Sequence, residues 1–133
     1  MKKLIPTYAH GIFDYLGGLA LLYAPNIFGF SEVGGAAVLI PRIIGAIVLV
    51  QSLFTNYDLG LFKMLPMKVH LMNDYIASIF LALSPWLFGF VDQPRNAWMP
   101  HLIVGITVLL LSLMTEKDPR RHEVSDLHRH HHA

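Results

Sequence analysis

Four stretches of the chain are almost purely apolar: residues 5–24, 36–55, 67–84 and 97–115. None carries the polar stripe that a helix on the surface of a soluble core would need. Each holds about 18–20 residues, which as a helix rising 1.5 Å per residue spans a hydrocarbon layer of about 30 Å. The connecting segments are about ten residues long and rich in Pro, Gly and charge, the composition of turns. Lipid offers backbone groups no partner, so a spanning segment satisfies its own N–H and C=O groups as a helix. The pattern predicts an all-α polytopic membrane protein with four transmembrane helices.

The four segments are two copies of a pair. Sliding the chain by 60 positions aligns Lys3 with Lys63, Pro6 with Pro66, His10 with His70, Asp14 with Asp74 and Tyr15 with Tyr75. The same offset aligns Pro25 with Pro85, Phe28-Gly29-Phe30 with Phe88-Gly89-Phe90, Gly45 with Gly105, Ser52 with Ser112, Thr55 with Thr115 and Asp58 with Asp118. About a third of the aligned positions are identical, without a gap. The expected organisation is a first two-helix repeat over 1–60, a second over 61–119, and a polar His-rich tail over 120–133. Because each unit crosses twice, the repeats run parallel, related by a pseudo-twofold axis along the membrane normal. Met1-Lys2-Lys3 before an apolar run has the look of a signal peptide. The run's full-length counterpart later in the chain, and the interruptions at His10 and Asp14, argue for a retained helix.

Composition agrees: apolar residues make up 54% of the 133 and charged residues 14%, against about 25% charged in ordinary globular proteins. Mean hydropathy is +0.50. The net charge of +1 provides no basic field for nucleic acid, and the absence of cysteine excludes thiolate metal sites and disulfide chemistry. Lys2, Lys3, Lys63, Lys68, Lys117, Arg120, Arg121 and Arg129 fall on one side of the predicted topology, and Arg42 and Arg95 on the other. The positive-inside rule then puts both termini and the central connection in the cytoplasm, and the protein in the cytoplasmic membrane. Trp86, Trp98, Phe28, Phe30, Phe88 and Phe90 are expected as an aromatic belt at the outer interface, with Tyr8 and Tyr57 near the inner one.

The third segment ends in Ser84-Pro85-Trp86, which with the two-helix unit and the duplication resembles the SPW-repeat integral membrane proteins. Their unit is a pair of transmembrane helices with Ser-Pro-Trp in the first. The first copy departs from the motif as Ala24-Pro25-Asn26. The resemblance covers nearly the whole chain apart from its tail and implies the fold, without an established activity. Physically, the proline stops or kinks the span, Ser84 can satisfy a freed carbonyl, Trp86 anchors at headgroup level and Gly89 turns the chain back.

The residues that could carry chemistry are His10, Asp14 and Tyr15 with their copies His70, Asp74 and Tyr75. His and Asp are spaced i, i+4, so they share one helix face. With the histidines about one turn inside the membrane and the aspartates about two, a carboxylate at that depth costs up to about 2.5–3.5 kcal/mol, so it should face the bundle interior and a partner. Gly17, Gly18, Ala77 and Ser78 lie on the same stripe and predict close approach where the first and third helices meet. Three readings follow. In the first, the polar pairs fix the register of a small structural or accessory membrane protein, within a homo-oligomer or beside a partner membrane subunit. In the second, His10, Asp14, His70 and Asp74 form an ion, proton or divalent-metal site, for example for zinc or manganese, serving binding or transport. In the third, His10 and His70 hold a haem, though no binding motif names a cofactor. No nucleophile with a positioned base, phosphate loop or redox thiol is present, so enzymatic chemistry is not expected. Gly45, Ser52, Gly105 and Ser112 read as a packing seam. His101, which faces Pro41 in the alignment, reads as an interfacial residue. The His128-Arg129-His130-His131-His132 tail reads as a disordered end or tag remnant, with metal binding as the alternative.

Overall fold

A computed structural model describes residues 4–115; the His-rich tail and the charges at Lys2, Lys3, Lys117, Arg120, Arg121 and Arg129 lie outside the described residues. Four helices follow one another: α1 (Thr7–Ile27), α2 (Gly35–Phe54), α3 (Met67–Leu87) and α4 (Arg95–Leu113), with a single 3-10 turn, Ser31–Val33, before α2. No strand is present among the described residues, only isolated bridges. α1 and α3 begin directly after Pro6 and Pro66, whose fixed φ and missing N–H suit a helix start.

Both helices run three residues further than the sequence suggests, through Pro25 and Pro85 to Ile27 and Leu87. A proline in the last turn removes one intrahelical bond without blocking the carbonyls that close the helix. The carbonyl Pro85 leaves without its usual donor belongs to Leu81, and the Ser84 hydroxyl donates to it at 2.7 Å. The stop comes at Gly29 and Gly89, at φ +72° and +71°. There the amides of Phe30 and Phe90 return to the carbonyls of Pro25 and Pro85 at 2.8 and 2.9 Å, closing a left-handed cap. In the first copy Asn26 accepts from Arg42 at 2.9 Å. In the second, half-exposed Trp86 meets Trp98 edge to face, with centroids 5.9 Å apart.

α1 packs chiefly on α2 and α3 on α4. The small residues serve these within-pair contacts, not the meeting of α1 with α3 expected from the stripe. A Cβ on Gly45 would sit 2.6 Å from the Gly18 carbonyl and the Leu22 amide, and one on Gly105 would sit 2.7 Å from the Ser78 carbonyl and the Ala82 amide. Gly17 faces open space. Leu21, Ile40, Ile44, Leu81 and Phe90 fill the centre. Phe30 and Phe90 are buried, unlike exposed Phe28, Phe88 and Trp86, so these two rings do not join the belt expected of them. The two buried rings flank His101, with centroids 5.8 and 4.8 Å away. His101 is therefore not interfacial: it is 1% exposed, and its Nε2 lies 3.0 Å from the Ala37 carbonyl.

At the end where α1 begins and α4 finishes, two short pairings brace the helix pairs. The end of α2 pairs with the segment entering α3 (Thr55 with Leu65), and the end of α4 with the segment entering α1 (Thr115 with Ile5). These four positions match under the 60-residue offset. α2 and α4 are each long and apolar enough to cross a membrane. α1 and α3 fall short of that measure, because their own composition includes the site residues.

Candidate functional site

His10 and Asp14 lie on the inner face of α1, and His70 and Asp74 on that of α3. All four are buried. One ligand atom from each gathers so that all lie within 4.8 Å of one another. His10 Nε2 is 3.1 Å from Asp14 Oδ1 and 3.0 Å from Asp74 Oδ2, and His70 Nε2 is 3.1 Å from Asp14 Oδ2 and 3.2 Å from Asp74 Oδ2. Each imidazole thus faces the carboxylate of its own helix and that of the other. Neither helix pair builds the cluster alone.

The outer nitrogens of the histidines are held by threonines. The Thr115 hydroxyl spends its one proton on the Leu111 carbonyl at 2.6 Å, and the Thr55 hydroxyl on the Gln51 carbonyl at 2.7 Å. Each oxygen can then only accept, so His10 Nδ1–H donates to Thr115 at 2.8 Å and His70 Nδ1–H to Thr55 at 2.6 Å. With the Nδ1 proton fixed, a neutral imidazole turns its Nε2 lone pair inward, the tautomer of a metal-ligating histidine with an ordered second shell. His10 Nε2 lies at 3.0 Å hydrogen-bond distance from Asp74 Oδ2, which can only accept, so the cluster needs either a proton on that nitrogen or a cation between the inner nitrogens and the two carboxylates.

Further donors hold the carboxylates. The Tyr57 hydroxyl donates to Asp14 Oδ2 at 3.0 Å, the Gln51 amide to Asp74 Oδ1 at 3.1 Å, and the Ser112 hydroxyl lies 3.4 Å from Asp74 Oδ2. Burial and the neighbouring Asp14 carboxylate push the Tyr57 phenol above its ordinary range, so it remains a donor.

The sequence brought forward His10, Asp14, His70 and Asp74, and the fold brings these together. It does not add the phenols of Tyr15 and Tyr75, which donate to the carbonyls of Leu59 and Ser112 at 2.8 and 3.3 Å. Nor is there a slot for haem. Its axial histidines need opposite faces of a flat ring, whereas His10 and His70 meet edge to face with centroids 5.5 Å apart, both turned to the same carboxylates. Sequence reasoning missed Tyr57, Gln51 and the role of the threonines. Tyr57 is 1% exposed and plugs the bundle, not the interface expected for it. The match of Thr55 with Thr115 at the repeat offset was the available signal.

Comparison with curated proteins and with solved structures returned no match to this chain. A family model, the SPW repeat domain, matches residues 8–115, from the first turn of α1 to Thr115. That match takes in both His/Asp pairs, both threonines and all but the first residue of the four helices, and the chain belongs to the SPW repeat domain family.

Proposed function

We propose that this chain is a four-span protein of the cytoplasmic membrane that binds one divalent transition-metal cation, of the zinc or manganese kind, between His10, Asp14, His70 and Asp74. The observation that carries the reading is the inner nitrogen of His70. It is fully buried and within 3.1–3.2 Å of two carboxylate oxygens, yet it has no aligned hydrogen bond with either. A proton there would lack a linear acceptor; a cation at the centre would satisfy all four groups. One donor atom from each residue lies within 4.8 Å of the others, slightly more than the roughly 4.2 Å that two opposite bonds of about 2.1 Å span, so a small inward shift brings all four onto one ion. Two imidazoles and two carboxylates form a borderline donor set suited to first-row divalent ions, and the ion's charge balances the two aspartates.

The four-span arrangement is supported by the outward faces of α1 and α3. Ile12, Phe13, Leu16 and Leu19 on the one, and Ile76, Ile79, Phe80 and Leu83 on the other, are exposed, while His10, Asp14, His70 and Asp74, which lower these helices' hydropathy, turn inward. Exposed apolar area on that scale suits lipid, not water. The Lys63 and Lys68 charges beside the site favour the cytoplasmic side for that end. Leu21, Ile44, Leu81 and Phe90 close the bundle beyond the cluster, which favours a bound ion in a small accessory protein over conduction through a single chain.

The test is elemental analysis and Zn2+ or Mn2+ titration of the protein in mild detergent, after chelation and reloading. One ion per chain is expected, with binding lost in Asp14→Asn and in Asp74→Asn while helicity is retained. Native protein that takes up neither ion at micromolar concentrations refutes the reading.

A further inference from the structure

We propose that the cation reaches this site from the end where α2 finishes and α3 begins, along the groove between these helices, with Gln51 as the gate and Asn73 as its outer latch. The inference rests on the metal-site reading above and concerns how that site is loaded.

Asp74 Oδ1 is the one carboxylate oxygen of the cluster in contact with neither histidine. The side-chain amide of Gln51 donates to it at 3.1 Å, and the Gln51 carbonyl accepts from the Asn73 amide at 2.8 Å. Exposure rises along this line, from buried Asp74 through half-buried Gln51 to exposed Asn73. Gln51 and Asn73 are also the polar residues of an otherwise apolar open groove of about 450 Å³. The chain Asn73–Gln51–Asp74 is thus a continuous polar connection from the surface to a ligand.

Among the described residues the other approaches are covered. Tyr57 and Leu59 cover the cluster over Gly11, where an added Cβ would meet them at 2.9 and 2.8 Å. Buried Thr115, paired with Ile5, covers the His10 side. The space beneath Asp74 is an apolar void of about 20 Å³, bounded by Ile44, Val48, Leu81 and Val108 among others. The repeat itself supplies the comparison: the counterparts of Gln51 and Asn73 are Leu111 and Phe13. The two halves share their histidines, aspartates and threonines but differ here, so one wall is polar and its twin is apolar.

Rotation of Gln51 breaks its bonds to Asp74 and Asn73 together and exposes Asp74 Oδ1 to the groove. Its own carbonyl, a hard oxygen donor, can accept the ion on the way in. The experiment uses the full-length protein in detergent, with Co2+ as an optical probe: loading is followed by stopped flow and release by a chelator chase. In Asn73→Leu, which leaves every residue around the ion in place, one of the two bonds that hold Gln51 closed is gone, so loading and release should both speed up by about tenfold, the worth of roughly one hydrogen bond's change in a barrier. Their ratio should hold. Gln51→Ala should speed both, and Gln51→Leu should slow both. Native rates in Asn73→Leu and Gln51→Leu would overturn the gate while leaving the site intact. Failure of the native protein to bind Co2+, Zn2+ or Mn2+ would overturn the site, and the gate with it.

Discussion

Replacing Thr115 with valine exchanges one hydroxyl for a methyl at nearly constant volume, at a position with no exposure. Two bonds go: the 2.6 Å donation to the Leu111 carbonyl and the acceptance from His10 Nδ1 at 2.8 Å. The first loss takes a donor from a carbonyl in the last turn of α4, where helix carbonyls lack an intrahelical partner. The second leaves a buried N–H without an acceptor, at a cost of about 1–3 kcal/mol. The imidazole can relieve it by moving its proton to Nε2, but this points an N–H at the centre of the cluster and removes a ligand. Either way cation affinity should fall by about tenfold to a hundredfold, the usual size of a second-shell loss at a metal site. The assay is a chelator competition with Zn2+ on detergent-solubilised protein, with thermal melting in the presence and absence of the ion as the second readout. Thr115→Ser restores the hydroxyl and should recover most of the affinity. Thr55→Val, acting on His70, should weaken binding in the same direction and by a similar amount. Native affinity in Thr115→Val, or a serine variant as weak as the valine one, would refute the tautomer argument.

Asp14→Asn and Asp74→Asn should each abolish stoichiometric binding in the Zn2+ titration, and the double variant should add little because one shared site is already lost. Gly45→Ala puts a methyl 2.6 Å from backbone atoms of α1, so thermal or denaturant unfolding should show a loss of about 1–3 kcal/mol; Gly17→Ala, which meets nothing, should show none. The Tyr57 phenol keeps its proton in the folded protein at a pH where the unfolded chain releases it. Stability should therefore fall as pH rises past about 10, and Tyr57→Phe should reduce that fall. Because the chain has no cysteine, Lys63→Cys gives a single label site; an impermeant maleimide should react with it only after inner-face access, and labelling from outside intact cells would reverse the orientation.

The helix count and the four central side chains were legible because polar residues are rare in these apolar runs and occur twice at one offset. A buried His or Asp in such a setting must find a partner, so its inward direction follows from cost alone. Thr55, Thr115 and Gln51 were not legible in the same way. They sit one turn or less from helix ends, where a polar residue is ordinary, and their part depends on which atoms the opposite pair presents. Pro25 and Pro85 misled by position: in a last turn proline costs one bond, and the glycine four residues later sets the stop. Phe30 and Phe90 looked interfacial by type, but the cap that turns the chain at Gly29 and Gly89 folds their rings inward beside His101.

The brace between Ile5 and Thr115 has a consequence for the order in which the helices are strung. The amides of Leu4 and Ile5 bond the Met114 carbonyl at 3.1 and 3.0 Å, so the segment before α1 and the segment after α4 already touch. Their twins, the segments after α2 and before α3, are joined by a short link. Cutting that link near Gly60 and tying 115 to 4 by a similar one would give α3–α4–α1–α2, with every brace and ligand unchanged. A circular permutant of this kind should assemble the same cluster, since closure at this end makes the bundle a ring in which neither pair comes first.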